Sequence, residues 1–250
     1  MDIQSALNFF KWAEIEKDGL IEVNYLLWDG KKYDNGKKEY WTSVPNTIGM
    51  PDNCLLCVGV NPRPKGLVGS AKDSDIQIYK NLYIDIEPIH APNTVVTEDQ
   101  RLACYEFANT IMNGFTMGDL WSKIVQSESG NGMHLMIAIP PYDNPQEFGN
   151  KMQTFYKTVL LPTSKAIKDA DKFRIDSTFS ASRQVKLPGT RKPIEGSRCS
   201  SFPNEDRKES VEFRDYILSF PEKERKQVSV SFDGTQLTLE QIEGRYGFVR

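Results

Sequence analysis

The stretch Asn81-Leu82-Tyr83-Ile84-Asp85-Ile86-Glu87 alternates without a break. Side chains along a β-strand project to opposite faces in turn. Leu82, Ile84 and Ile86 therefore share one face, and Tyr83, Asp85 and Glu87 share the other. Two carboxylates two residues apart stand roughly 7 Å from each other at about 3.3–3.4 Å per residue. Ionising both is costly unless a cation or a proton sits between them. The pair fits a solvated strand face or a divalent-metal site, and the rest of the chain has to decide.

Downstream, Thr97 with Gln100 three residues on has capping-box spacing and predicts a helix. Leu102, Tyr105, Ala108 and Met112 mark its apolar face, and Asn113-Gly114 ends it. Residues 121–125 read as a short strand, and Ser127-Glu128-Ser129-Gly130-Asn131-Gly132 as a turn. Residues 132–139 read as a strand stopped by Pro140-Pro141. Residues 145–160 read as a helix with Phe148, Met152, Phe155 and Val159 on one side, and residues 173–176 as a last strand. The order β-α-β-β-α-β is the ferredoxin-like split unit. In its usual arrangement the first strand is central, flanked by the third and fourth. Both helices cover one sheet face and the other is expected to be open.

Parity then places the polar residues. Met133, Leu135, Ile137 and Ile139 turn to the helices, which sends His134 to the opposite face. Phe173 and Ile175 turn in, and Arg174 and Asp176 turn out. Asp85, Glu87, His134 and Asp176 are thus expected on one sheet face, from three adjacent strands. Three carboxylates on a rigid sheet suit one or two Mg²⁺ or Mn²⁺ ions, which prefer oxygen ligands. Two such ions about 3.5–4 Å apart stabilise the attacking and leaving oxygens of a phosphoryl displacement. His134 follows a glycine-rich turn whose backbone N–H groups suit phosphate. Residues 177–192 carry Arg183, Lys186, Arg191 and Lys192 with no acid, and residues 61–72 carry Arg63, Lys65 and Lys72 with no acid. Each is either a solvated loop or a contact to phosphate.

The flanking parts are plainer. Residues 5–14 suggest a helix bearing Leu7, Phe9, Phe10 and Trp12. Residues 21–28 and 39–42 suggest a hairpin around a turn at 29–38, and residues 55–60 a further strand. Residues 205–219 suggest a helix, followed by a strand at 228–232 and a segment at 237–246. Cys54 and Cys57 have zinc-knuckle spacing, but no second pair follows, and Cys57 lies in an apolar run that reads as core. The expected fold is α+β. A single domain holds an N-terminal α/β module (1–80), a catalytic module (81–200) and a C-terminal helix with short strands (201–250).

No run is long or apolar enough to span a membrane, and Met1-Asp2-Ile3 does not open a signal peptide. A cytoplasmic protein with reduced thiols is expected. The net charge of −3 argues against indiscriminate coating of nucleic acid but allows a local basic groove.

These motifs resemble those of the archaeo-eukaryotic primase superfamily, especially its prokaryotic primase-polymerase branch, in which CRISPR-associated variants form one sub-branch. Asp85-Ile86-Glu87 resembles the paired-acid first motif. Ser129-Gly130-Asn131-Gly132-Met133-His134 resembles the second, and Ile175-Asp176 with Arg183, Lys186 and Leu187-Pro188-Gly189-Thr190 resembles the third. Val60-Asn61-Pro62-Arg63 is also similar to a segment of that branch. The resemblance spans residues 58–192. It departs from the pattern at Lys186, where many relatives have arginine, and no zinc-binding cluster is visible.

The resemblance implies a primase-like core around a βαββαβ catalytic sheet. It implies a nucleotidyltransferase, a DNA primase and DNA polymerase, that joins (d)NTPs on a single-stranded DNA template and primer strand. Asp85, Glu87 and Asp176 would be catalytic metal ligands for two Mg²⁺ or Mn²⁺ ions. Ser129, Gly132, His134, Arg183 and Lys186 would bind nucleotide, and Arg63, Lys65, Arg191 and Lys192 would touch template or phosphate. Replication, repair or CRISPR proteins are the partners it implies, with no membrane. Two alternatives stand beside it: a metal-dependent nuclease and a non-catalytic module that binds single-stranded nucleic acid.

Overall fold

The alternating stretch forms the middle of a ten-residue strand, and two sheets are built against it. The structure is a computed structural model and describes residues 1–45, 47–49, 52–91, 94–114, 123–222, 229–232 and 235–238. The chain opens with α1 (Ile3–Ala13), α2 (Ile15–Asp18), β1 (Ile21–Trp28), β2 (Tyr33–Trp41) and β3 (Cys54–Gly59). Then come β4 (Tyr79–Pro88), α3 (Glu98–Gly114), β5 (Ile124–Glu128), β6 (Met133–Tyr142) and α4 (Pro145–Phe155). One π-helical turn links α4 to α5 (Leu161–Lys165), followed by β7 (Phe173–Ile175), β8 (Gln184–Lys186) and α6 (Val211–Leu218). A hairpin of β9 (Ser229–Phe232) and β10 (Thr235–Thr238) follows.

The second sheet runs β5-β6-β4-β7, all antiparallel. This is the expected order, with the first strand of the unit between the third and fourth. Leu82, Ile84, Ile86, Met133, Leu135, Ile137 and Ile139 all point into one core with α3, α4 and α6. On α4, Phe148, Met152 and Phe155 are buried there as expected. Thr97 and Gln100 cap α3 reciprocally: each accepts a hydrogen bond from the other's backbone N–H.

The opposite sheet face is open only at its acid-bearing end, which corrects the expectation of a fully open face. Tyr83, Val125, Met136 and Ala138 on that face pack with Phe9, Phe10 and Trp12 of α1 and with Val23, Leu56 and Val58 of the first sheet. That sheet runs β2-β1-β3-β8. Its fourth strand, β8, comes from the basic segment after Asp176 and pairs antiparallel with β3. The N-terminal module is therefore completed by a strand from residues 81–200.

Smaller differences have local causes. α3 buries part of its expected face: Ala108 and Met112 are buried with Cys104, Phe107 and Ile111, while Leu102 and Tyr105 stand at the surface. β2 extends back into the polar segment read as a turn. Ser127 and Glu128 belong to β5 rather than to the turn, and β6 continues through Pro140-Pro141 to Tyr142. Trp121, Val228 and residues 239–246 lie outside the described residues. Cys54 and Cys57 are three apart on β3 and so face opposite sides, which a shared metal ion would not permit. Among the described residues no helix is long and apolar enough to cross a membrane.

Candidate active site

Strand register brings the acids together. Asp85 stands opposite His134 across β4 and β6, and Glu87 stands opposite Arg174 across β4 and β7. Asp176 follows β7, and its N–H donates to the Asp85 carbonyl at 2.9 Å, which extends the pairing by one residue. Asp85, Glu87, Asp176 and Arg174 line a cleft of about 260 Å³.

Within it, Asp85 Oδ1 is buried and has no hydrogen-bond partner among the described residues. The closest approach of His134 is Nε2 at 3.5 Å. Burial, reinforced by the charges of Glu87 and Asp176, pushes the Asp85 carboxyl up to about 7. Asp176 behaves oppositely. Burial works against its charge, but hydrogen bonds from Thr178 and the Arg183 guanidinium hold it below the usual carboxylate range. Glu87 Oε2 takes Arg174 Nη2 at 2.6 Å, and Asp176 takes Arg183 Nη2. Among the described residues no three His, Cys, Asp or Glu side chains are already arranged as a metal cage. The donor set nevertheless fits an oxygen-preferring cation: an unpartnered buried carboxylate oxygen beside two further carboxylates.

A second cleft of about 190 Å³ shares Asp85 and Glu87 and is walled by Ser129, His134, Arg183, Lys186 and Lys192. It lies where β8 of the first sheet meets β4 and β6 of the second. Arg183 Nε donates to the Tyr83 hydroxyl, and its guanidinium lies 5.7 Å from the Tyr83 ring centre. The Tyr83 hydroxyl in turn donates to the Gln184 carbonyl at 3.1 Å. His134 packs edge-on against Tyr83 with ring centres 5.4 Å apart. Burial, with Lys186 and Arg183 adding to it, lowers the His134 imidazole to about 3 and keeps it neutral. Burial and the charge of Lys192 lower the Lys186 ammonium to about 8.

The glycine-rich turn is fitted to this site. Gly130 has φ +88°, and a Cβ on Gly132 would stand 2.1 Å from the Ile86 carbonyl oxygen. Only glycine lets the turn press on β4 beside Glu87. Ser129 N–H donates to the Gly132 carbonyl, and Gly132 N–H donates to Ser129 Oγ at 2.8 Å. The Ser129 carbonyl takes Lys186 Nζ, tying turn to strand.

Three residues expected at phosphate are not brought to either cleft. Arg63 is a correction: it is 1 % exposed, and its guanidinium bonds Glu22, the Asn61 carbonyl and the Ser182 carbonyl. It ties the loop to the first sheet and has no surface to offer. Lys65 and Arg191 are exposed away from the cleft walls, whereas Lys192 lines the second cleft. Sequence reasoning gave no role to Arg174 or Tyr83, although the same alternation that set out Asp176 and Asp85 put both on the acid face.

No protein-family model matches the chain, and no curated protein matches it.

Proposed function

We propose that the chain is the catalytic part of a primase-polymerase of the archaeo-eukaryotic type, a metal-dependent nucleotidyltransferase that copies single-stranded DNA. One observation carries this reading. Two clefts share Asp85 and Glu87: one adds Asp176, and the other adds the basic Arg183, Lys186 and Lys192 with neutral His134 beside Asp85. That division of charge matches a cation joined to a nucleoside triphosphate.

Asp85, Glu87 and Asp176 are the residues that would hold Mg²⁺ or Mn²⁺; such ions polarise the reacting phosphate and favour ionisation of an attacking 3′-hydroxyl. The chain's own residues supply position and counter-charge. Arg183, fixed by Tyr83 and Asp176, presents donors to the triphosphate, and Lys186 adds a point charge beside it. His134, neutral, hydrogen-bonds a phosphate oxygen without adding charge. Lys192 at the cleft wall attracts the strand backbone, an electrostatic contact without sequence preference.

The rival single-strand-binding module needs an open sheet face with outward aromatics. Here the part of that face with Tyr83, Met136 and Ala138 is covered, Tyr83 is 6 % exposed, and acids line the part left open. The test is a reaction with labelled nucleotide, Mg²⁺ or Mn²⁺ and single-stranded DNA, with and without an annealed primer. Templated products in both tubes are the expected result. Products only with primer leave a polymerase, and shortening of the DNA without incorporation would replace the proposal with a nuclease.

A further inference from the structure

We propose that Arg174 is a latch on Glu87, which a divalent cation has to displace before the acid set can take it up. The inference rests on the acids being metal ligands, as proposed above. It deepens that reading by naming a residue that regulates loading.

Glu87 and Arg174 face each other in register across β4 and β7, and Arg174 Nη2 lies 2.6 Å from Glu87 Oε2. Both line the same cleft as Asp85 and Asp176. The guanidinium takes a lone pair of Glu87 Oε2 and fixes the orientation of the carboxylate. A cation drawing on Glu87 has to compete with that contact. In the acid set Asp85 Oδ1 is buried without a partner, Glu87 Oε2 is taken by Arg174 and Asp176 Oδ2 by Arg183.

The two arginines of the site are held very differently. Arg183 bonds both Tyr83 and Asp176 and lies over the Tyr83 ring; its side chain is 27 % exposed. It is built into the wall. The Arg174 side chain is 68 % exposed, and among the described residues Glu87 is its one hydrogen-bonding partner. Exposed ion pairs of this kind are weak and yield to a stronger ligand. Arg174 also relieves a conflict. Without it, ionised Glu87 repels Asp85, whose own charge burial already disfavours. The latch thus reduces repulsion within the acid set and lowers its affinity for free cations.

The test is Mn²⁺ affinity of the purified, nucleotide-free protein, read from the paramagnetic resonance of the free ion. Arg174→Gln is expected to bind Mn²⁺ about three- to ten-fold more tightly than the wild type. In a Glu87→Gln background the same substitution is expected to give no gain, because the latch has nothing to hold. Unchanged affinity in Arg174→Gln would overturn the latch. So would an equal gain in both backgrounds, which is simple through-space repulsion. Asp85→Asn separates the two levels. If it weakens Mn²⁺ binding while Arg174→Gln changes nothing, the latch alone fails. If it leaves Mn²⁺ binding intact, the metal site fails with it.

Discussion

Burial and two neighbouring carboxylates make ionised Asp85 costly in the folded chain, and the cost has a pH signature. The unfolded carboxyl titrates near 3.9, about three units below its folded value. Between these values the folded chain keeps a proton that the unfolded chain has lost. Stability therefore falls as pH rises from about 4 to about 7. With metal removed by a chelator, Asp85→Asn should gain in melting temperature over the wild type across that window and keep the gain above it. A difference that does not change with pH would contradict this account of Asp85. Arg63 supplies the opposite case. It neutralises Glu22, which is 1 % exposed, with Lys38 Nζ 3.1 Å from the other carboxylate oxygen. Arg63→Ala strands that charge and should cost about 3 kcal/mol in urea unfolding, the low end for a broken buried pair because Lys38 remains. Asp85, Glu87, His134 and Asp176 were legible because a strand's period of two sorts side chains without tertiary information. Arg63 was not. A basic letter in a Pro- and Gly-rich loop says nothing about a partner 41 residues away.

At the scale of elements, β6 carried a signal that the expected open face ignored. Met133, Leu135, Ile137 and Ile139 are apolar, but so are Met136 and Ala138 between them. A near-continuous apolar run marks a strand covered on both faces. β8 was not legible at all: three residues, Gln184-Val185-Lys186, carry no periodicity, and only pairing with β3 makes them a strand. The turn before β6 yields a prediction. Gly132→Ala drives a methyl group into the Ile86 carbonyl, so β4 or the turn has to shift. A loss of about 1–3 kcal/mol in stability is expected, with nucleotide affinity falling as the turn moves. A Gly132→Ala protein of unchanged stability would mean that the turn does not press on β4.

Across the whole molecule, one core lies between the two sheets, and a strand from late in the chain completes the first of them. β8, from the segment after Asp176, completes the first sheet, and Tyr83, Met136 and Ala138 need α1 and β3 to cover them. The parts read from sequence as 1–80 and 81–200 are therefore not independent folding units. A fragment spanning residues 61–222 should lack a cooperative urea transition and near-ultraviolet dichroism; a sharp transition would refute this interdependence. The same arrangement creates the site, because the acids ride on one sheet and Lys186 on the other. The most direct test of that claim is extension of a primed template by wild type and Asp85→Asn in Mg²⁺ or Mn²⁺, with folding checked by dichroism. The account predicts templated extension by the wild type and a fall of at least about 10²- to 10³-fold in the variant. Extension by Asp85→Asn within tenfold of the wild type would contradict it.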